Sequence, residues 1–396
     1  MDPILLYSQA RQPSAPPAFA ALEPWHFHES LPGYAPTPLV ERPGLAALIG
    51  AGKLWVKDES HRFGLKAFKA LGGTFAAAMA IAGRLGLEGP LTYEALRRPA
   101  IQKEIARLHF ITATDGNHGR GVAFTARLLG ARSHVLMPRG SSQRRLENIR
   151  QFTPDAEITD LSYDDTVRLA ARIAEEKGWL LLQDTAWEGY TQIPDWIMAG
   201  YFTLCREAAL QLNGEAPTHI FLQAGVGSFP AAAAEYFSRC WQAPPQIWLV
   251  EPHGADCCFR SLKAGRRVQI REEMHTVMAG LACGTPSLTA FPVLRARLDG
   301  AVSCPDEATA LGMRLLAAPI RGDTPVISGE SGAVTCGLAA LALADGHEEE
   351  AAALGLDASS RILVISTEGD TDPEHYQSII TGGELSSCPA WKGRSL

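Results

Sequence analysis

Several features that would point to a membrane, a nucleic acid or a secreted scaffold are missing from this chain of 396 residues. No apolar run approaches the roughly 18–20 residues that a membrane-spanning helix needs. The formal net charge is −7, which disfavours nucleic acid or an anionic membrane as the main partner. The segment that begins at Met1 has no basic stretch followed by an apolar core, so we expect no signal peptide and a cytoplasmic location.

Cysteine is absent from the first half of the chain. All eight cysteines lie from Cys205 onward, and none forms a CxxC pair. This spacing predicts neither a zinc site nor a disulfide framework, and reduced thiols are expected. A bridge from Cys257 or Cys258 to Cys283 stays open. The two histidines of an HxH sequence, residues 26 and 28, have no third candidate ligand, so no metal site is predicted.

Short apolar runs alternate with helical patterns along most of the chain, which predicts an α/β fold with largely parallel sheets. The predicted strands are Leu54–Val56, His109–Ala113, His134–Met137, Leu180–Leu182, His219–Leu222, Ile247–Val250 and Ile362–Ile365. The clearest predicted helices are Asn117–Leu129, Ser142–Phe152, Asp164–Lys177, Pro230–Trp241 and Ser331–Ala344. Ligands of such sheets bind at the carboxyl ends of the strands.

Lys69 lies at a corner between the first predicted strand and a helix of small residues, Ala67–Leu85. A lysine there can be partly desolvated, which lowers its amine pKa and makes it a nucleophile toward carbonyl groups. That is the chemistry of a Schiff-base lysine. The alternative is a solvated lysine on a helix surface.

Two further strand ends carry carboxylates. Asp115 and Asn117 follow one predicted strand in a Gly-rich turn, and Asp184 follows another. They are candidate bases and cofactor ligands, although each could instead cap a helix.

Two other strand ends carry groups suited to a phosphorylated ring. The turn Gly225, Val226, Gly227 and Ser228 precedes a helix and suits a single phosphate, because glycines admit an anion to the backbone N–H groups. It lacks the Walker lysine and the full dinucleotide fingerprint, and a plain tight turn is the alternative. Ser366 or Thr367 could bind a ring nitrogen. Together with Lys69 these features predict pyridoxal 5′-phosphate as the cofactor.

The motifs that carry these residues resemble the fold-type II pyridoxal-phosphate enzymes, the superfamily of tryptophan synthase β and threonine dehydratase. They are most similar to the lyases that eliminate ammonia from 2,3-diaminopropionate. The matching segments are residues 32–39, 57–73, 113–121, 183–187, 280–286 and 366–376.

The resemblance implies two three-layer αβα domains with the cofactor cleft between them. The large domain would comprise residues 1–65 and 185–396, and the small inserted domain residues 66–184. It also implies a homodimer and an amino acid substrate. Lys69 would bind the cofactor covalently, Asn117 its phenolic oxygen, and Gly225–Ser228 its phosphate. Lys66, where the family often has asparagine, would be a second lysine near the cleft.

The implied reaction is α,β-elimination of 2,3-diaminopropionate to pyruvate and two ammonia molecules. Asp115 and Asp184 would each serve one enantiomer of the substrate if they lie on opposite faces of the cofactor. Elimination from serine or threonine by a dehydratase of the same fold is the first alternative. A catalytically inert pyridoxal-phosphate binder and a Rossmann-like nucleotide enzyme are the others.

Overall fold

The computed structural model describes residues 2–383, 385 and 389–391. Within these residues the strands are β1 (Leu5–Ser8), β2 (Leu39–Glu41), β3 (Lys53–Asp58), β4 (His109–Ala113), β5 (Arg132–Met137), β6 (Ala156–Ile158), β7 (Leu180–Leu181), β8 (His219–Gln223), β9 (Gln246–Pro252), β10 (Gly300–Cys304) and β11 (Arg361–Ser366).

The α-helices of the same residues are α1 (Pro24–Glu29), α2 (Pro43–Ile49), α3 (Ala70–Leu85), α4 (Tyr93–Leu96), α5 (Pro99–Ile105), α6 (Asn117–Leu129), α7 (Gln143–Arg150), α8 (Tyr163–Lys177), α9 (Gln192–Gly200), α10 (Phe202–Gln211), α11 (Ser228–Phe237), α12 (Cys257–Ala264), α13 (Ala290–Arg297), α14 (Asp306–Ala317), α15 (Glu330–Ala342), α16 (Glu348–Leu354) and α17 (Pro373–Thr381). None of them is both long and apolar enough to cross a membrane.

The chain divides into two compact units. The first comprises residues 1–16, 36–61 and 204–396. Its seven-stranded sheet has the order β1-β10-β9-β8-β11-β3-β2. The five inner strands are parallel, whereas β1 and β2 pair antiparallel at the two edges. The inner strands are almost completely buried, as expected of parallel strands covered by helices on both faces.

Two helices of the first unit pack with direct backbone contact. A Cβ atom added to Gly337 of α15 would lie 1.7 Å from the carbonyl oxygen of Ala308 in α14. One added to Gly312 of α14 would lie 2.2 Å from the carbonyl oxygen of Ala333. These glycines therefore set how closely the two helices approach each other.

The second unit comprises residues 17–35 and 62–203. Its four-stranded sheet is parallel throughout, with the order β6-β5-β4-β7. One apolar cluster joins the sheet to α8, through side chains such as Ile111, Leu136 and Ala170. A second cluster joins it to α6 and α7, through Ala123, Val135 and Ile149. Both faces of the small sheet are thus covered, and its carboxyl edge is left for functional groups.

Candidate active site

Lys69 is positioned by the segment that links β3 to α3. It occupies the N-cap position of α3, and its side chain is 23% exposed. Gly121 of α6 meets this corner so closely that an added Cβ would lie 3.1 Å from the backbone nitrogen of Ala70. Lys66 differs, because it is exposed and has a positive φ of 52°. Only Lys69, of these two lysines, is held in a packed corner.

The ammonium group of Lys69 contacts a carboxylate from a distant part of the second unit. Its Nζ atom donates a hydrogen bond to Oδ2 of Asp184 at 2.5 Å. The Asp184 side chain is only 6% exposed, so the pair is shielded from water. Asp184 follows β7 at the carboxyl edge of the small sheet. The structure thus brings together two of the residues that we predicted for the site.

The pKa of Lys69 lies above its ordinary value, so the expected lowering was wrong. Burial is the largest single effect and lowers the pKa, but the charge and hydrogen bond of Asp184, together with Tyr201 and Asp115, outweigh it. Burial also disfavours the charged form of Asp184 and so raises its pKa. His118 and Lys69 outweigh this effect and bring the pKa down to about 2. Desolvation alone would lower the pKa of Lys69, but its partner Asp184 makes the two side chains an ion pair.

His118 completes this group from the first turn of α6. The ring is 2% exposed, and Nε2 contacts the carbonyl oxygen of Leu182 at 2.7 Å. Nδ1 lies 3.8 Å from Oδ2 of Asp184 and has no hydrogen-bond partner among the described residues. Burial lowers the pKa of His118, and the nearby Lys69 lowers it further, against Asp184. The imidazole is therefore neutral at neutral pH.

The other predicted carboxylate is placed differently. Asp115 lies in the turn between β4 and α6, and its side chain is 32% exposed. Its Oδ2 atom lies 3.7 Å from Nη1 of Arg145. Asn117 is the first residue of α6, after Gly116, whose φ of 156° admits the turn. Asp115 thus lies beside an arginine, whereas Asp184 is bound to Lys69 and has His118 nearby.

The predicted phosphate turn lies in the first unit, between β8 and α11. Gly227 is the N-cap of α11 and has a φ of 89°, a conformation that favours glycine. A Cβ on Gly225 would lie 3.0 Å from Sγ of Cys283. The turn therefore favours glycine at position 227 and leaves little room for a side chain at position 225, and it presents the positive end of the α11 dipole, the usual setting for a bound phosphate.

Hydroxyl and amide groups cluster where β11 ends. Ser366 Oγ contacts Ser328 Oγ at 2.8 Å, and Gln223 Nε2 donates to Thr367 Oγ1 at 2.8 Å. The backbone N–H of Ser331 donates to Oε1 of Glu368 at 3.0 Å. Gln223 and Ser328 were not predicted as members of this cluster. The signal for Ser328 was a Ser/Gly-rich stretch directly before a buried helix.

Two buried polar atoms of this cluster have no partner among the described residues, namely Oγ of Ser331 and Oε1 of Gln223. Buried polar groups are rarely left without partners unless a ligand or water supplies one. A polar ring nitrogen or oxygen would satisfy such atoms. The residues of the first unit therefore fit the polar edge of a pyridoxal ring, and those of the glycine turn fit its phosphate.

Cysteines of the first unit lie around the glycine turn Gly225–Ser228. No disulfide joins two of the seven cysteines within the described residues, so neither Cys257 nor Cys258 is bridged to Cys283. Glu251, Cys257 and Cys258 form a buried group with ligand atoms within 4.8 Å of one another. Both Glu251 oxygens already accept N–H groups at the start of α12, from Cys258 and Phe259. That capping role accounts for the buried carboxyl group.

The histidines of the HxH sequence do not converge. His28 is buried and bonds to Thr203 and to the carbonyl oxygen of Leu71. His26 is largely exposed and lies beside Glu23. The two rings therefore occupy different surroundings, each with its own partners.

Residues 31–368 match the family of pyridoxal-phosphate dependent enzymes, and this chain belongs to that family. The parallel sheets and their structural neighbours define the fold as type II. Pyridoxal phosphate is accordingly the cofactor, and the chain is an ammonia-lyase by its relatives.

One relative is diaminopropionate ammonia-lyase of Salmonella typhimurium, which is 48% identical over 378 residues. The match covers 93% of this chain and 91% of the relative. The crystal structure of holo diaminopropionate ammonia lyase from Escherichia coli superposes with a TM-score of 0.89 at 38% identity, covering 98% and 99% of the chains. The same enzyme in complex with an aminoacrylate-PLP azomethine reaction intermediate gives 0.86 at 40% identity, covering 97% and 98%.

Proposed function

We propose that this protein catalyses the α,β-elimination of 2,3-diaminopropionate, which yields pyruvate and two molecules of ammonia. The similarity to diaminopropionate ammonia-lyase over nearly the whole chain supports the reaction. The single structural observation that carries the proposal is the buried group of Lys69, Asp184 and His118. It joins an amine suited to covalent cofactor binding to a carboxylate suited to proton transfer.

The residues of this chain would hold the cofactor as follows. Lys69 supplies the amine for the covalent link, Asn117 a hydrogen bond to the phenolic oxygen, and Gly225–Ser228 the backbone groups for the phosphate, including those of Val226 and Gly227. Pyridoxal phosphate, when bound, withdraws electrons from the Cα atom of an amino acid and so eases loss of the α-proton and of a β-substituent.

We assign the pyridine nitrogen to Thr367 rather than Ser366. The oxygen of Thr367 accepts a hydrogen bond from Gln223, and none of the described residues accepts its proton. The proton of Ser366 is directed to Ser328 or to the carbonyl oxygen of Glu368. Thr367 therefore retains a donor for the ring. The matched variants Thr367→Val and Ser366→Ala should separate the two, with the larger shift in bound-cofactor absorbance in Thr367→Val.

Asp115 and Asp184 are proposed to act on the substrate itself. Each carboxylate can accept the α-proton, and each favours a cationic β-ammonium group nearby. The departing β-ammonium leaves as neutral ammonia because it takes the electrons of the breaking C–N bond. The unsaturated product hydrolyses to pyruvate and the second ammonia. We propose that each aspartate serves one enantiomer.

The test is a product assay on the purified protein with both enantiomers of 2,3-diaminopropionate and of serine. We expect stoichiometric pyruvate and twofold ammonia from diaminopropionate, at a rate well above that for serine. Asp115→Asn and Asp184→Asn should each impair a different enantiomer. Faster release of pyruvate from serine would favour the dehydratase alternative, and equal small losses in both variants would reject the division between the aspartates.

We also propose that the protein is a cytoplasmic homodimer. The lack of a disulfide between the described cysteines supports a reducing compartment, and the family resemblance supports the dimer. Light scattering coupled to size-exclusion chromatography tests the oligomeric state, with a mass of twice 42.6 kDa expected.

A further inference from the structure

The hydrogen bonding of His118 fixes which of its nitrogens carries the proton. Nε2 lies 2.7 Å from the carbonyl oxygen of Leu182, an atom that can only accept. Nε2 is therefore protonated, and in the neutral ring Nδ1 presents a lone pair. That lone pair is buried and has no hydrogen-bond partner among the described residues, and Nδ1 lies 3.8 Å from Oδ2 of Asp184.

A lone pair that faces a carboxylate is an unfavourable arrangement as long as both groups lack a proton. It becomes favourable when one proton lies between them. Asp184 gains such a proton when it accepts one from the substrate. Its Oδ2 atom lies 3.8 Å from Nδ1 of His118. A small movement of either side chain brings the two atoms within hydrogen-bond distance.

We propose that His118 is a positioning residue for Asp184 and receives, at Nδ1, the proton that Asp184 takes from the substrate. This inference rests on the proposed function. The α-proton passes from the substrate carbon to Asp184, and from the protonated Asp184 to His118. Asp184 is thereby returned to its carboxylate form, and His118 becomes an imidazolium that releases the proton to solvent after product departure.

Asp115 provides the contrast within the same unit. Its charged neighbour is Arg145, whose guanidinium remains protonated and cannot take a proton from a carboxylic acid. Asp115 is also 32% exposed, so water can receive its proton directly. The substrate enantiomer that depends on Asp184 should therefore need His118, and the enantiomer that depends on Asp115 should not.

The pH dependence of the two enantiomers should differ as well. The charged groups that act on His118 are Asp184, Lys69 and Asp115, together with the carbonyl of Leu182. Burial and Lys69 lower the pKa of His118, which keeps the ring neutral and able to accept a proton. As the pH falls through that pKa the ring is protonated in advance, and turnover through Asp184 should fall with it.

The decisive variant is His118→Gln in the holoenzyme, because the glutamine amide can still donate to Leu182 but offers no titratable atom at the position of Nδ1. His134→Gln is the matched control, since His134 belongs to the same unit and pairs with Glu157. We expect kcat of His118→Gln to fall by about 100-fold for the Asp184-dependent enantiomer and to stay unchanged for the other. The acidic limb of the remaining activity should disappear. Equal losses for both enantiomers, no loss for either, or a persisting acidic limb would overturn the proposal.

A measurement without turnover separates this inference from the proposed function. In holoenzyme with 15N-labelled histidine, NMR should show His118 as the neutral ring protonated at Nε2 near pH 8. The signal is assigned by its loss in His118→Gln or, if that variant does not fold, in His118→Asn. A ring protonated at Nδ1 alone would overturn the inference even if diaminopropionate is the substrate. If neither enantiomer reacts, the proposed function fails while the NMR result still decides the state of His118.

Discussion

The Nζ atom of Lys69 lies 2.5 Å from Oδ2 of Asp184, although 115 residues separate the two in the chain. Lys69 is held at the start of α3, and Asp184 follows β7 at the edge of the small sheet. The contact exists only when the unit is folded. It raises the pKa of Lys69 and lowers that of Asp184, so the two side chains form an ion pair.

Lys69 and Lys66 should behave differently toward the coenzyme. Reduction of the holoenzyme with borohydride, followed by peptide mass spectrometry, should place the coenzyme on Lys69. Lys69→Ala should lose the visible absorbance of lysine-bound coenzyme and at least about 100-fold in activity. Lys66→Ala should retain both, because Lys66 is exposed and lies outside the packed corner. Coenzyme found on Lys66 would contradict this assignment.

Glu251 should make the stability of the protein depend on pH. Burial raises the pKa of this carboxyl to about 8, against the hydrogen bonds from Phe259 and Cys258. Between the ordinary glutamate value near 4.3 and about 8, the unfolded state therefore loses a proton that the folded state keeps. Stability from this group is present at low pH and is lost as the pH rises through that window, by at most about 1.4 kcal/mol per pH unit.

Glu251→Gln removes this titration and keeps the side-chain shape. Urea unfolding of the variant and the wild type at several values between pH 5 and pH 9 should show the variant gaining stability relative to the wild type as the pH rises. A constant difference between the two proteins across this range would show that Glu251 is ionised in the folded state.

The sequence predicted best those elements whose signals are local. Strand β4 has the predicted bounds, and so does α6, which lies between Gly116 and Gly130. The helix predicted to begin at Pro230 begins two residues earlier, at Ser228. The reason is that proline is tolerated throughout the first turn of a helix and does not have to be its first residue. Strands that depend on distant partners were missed. Leu5–Ser8 is a strand only because it pairs with Gly300–Cys304.

The same distinction applies to the candidate site. Residue types at strand ends identified Lys69, Asp115 and Asp184 as candidates, because the carboxyl edge of a parallel sheet collects such groups. Which of them touch each other depends on side-chain direction and packing between distant segments. The contact between Lys69 and Asp184, and the orientation of His118 by the Leu182 carbonyl, could not be read from local patterns. The wrong pKa expectation for Lys69 has this origin.

A buried lysine in the first unit should be important for stability. Lys57 is fully buried, and its Nζ donates to Glu207, to Gln211 and to the carbonyl oxygen of Thr37, each within 2.9 Å. Lys57→Met leaves the Glu207 carboxylate buried without its cation, which should cost about 3–5 kcal/mol. The double variant Lys57→Met with Glu207→Leu should recover a large part of this loss. Urea unfolding of the wild type, the two single variants and the double variant gives the coupling energy between Lys57 and Glu207. A loss of stability below about 1 kcal/mol in Lys57→Met would show that the pair behaves like an exposed one.

The backbone contact between α14 and α15 gives the last prediction. Gly337→Ala places a methyl group 1.7 Å from the carbonyl oxygen of Ala308, so the two helices must separate. Overpacking of this kind costs about 1–3 kcal/mol or more, and we expect the upper end because the obstacle is backbone. Gly83→Ala in α3 is the matched control, since no atom lies within 4 Å of its added Cβ. It should stabilise the protein by about 0.5–1 kcal/mol through better helix propensity. Thermal unfolding of both variants tests this, and similar shifts in the two would show that the helix contact at Gly337 is not as close as described.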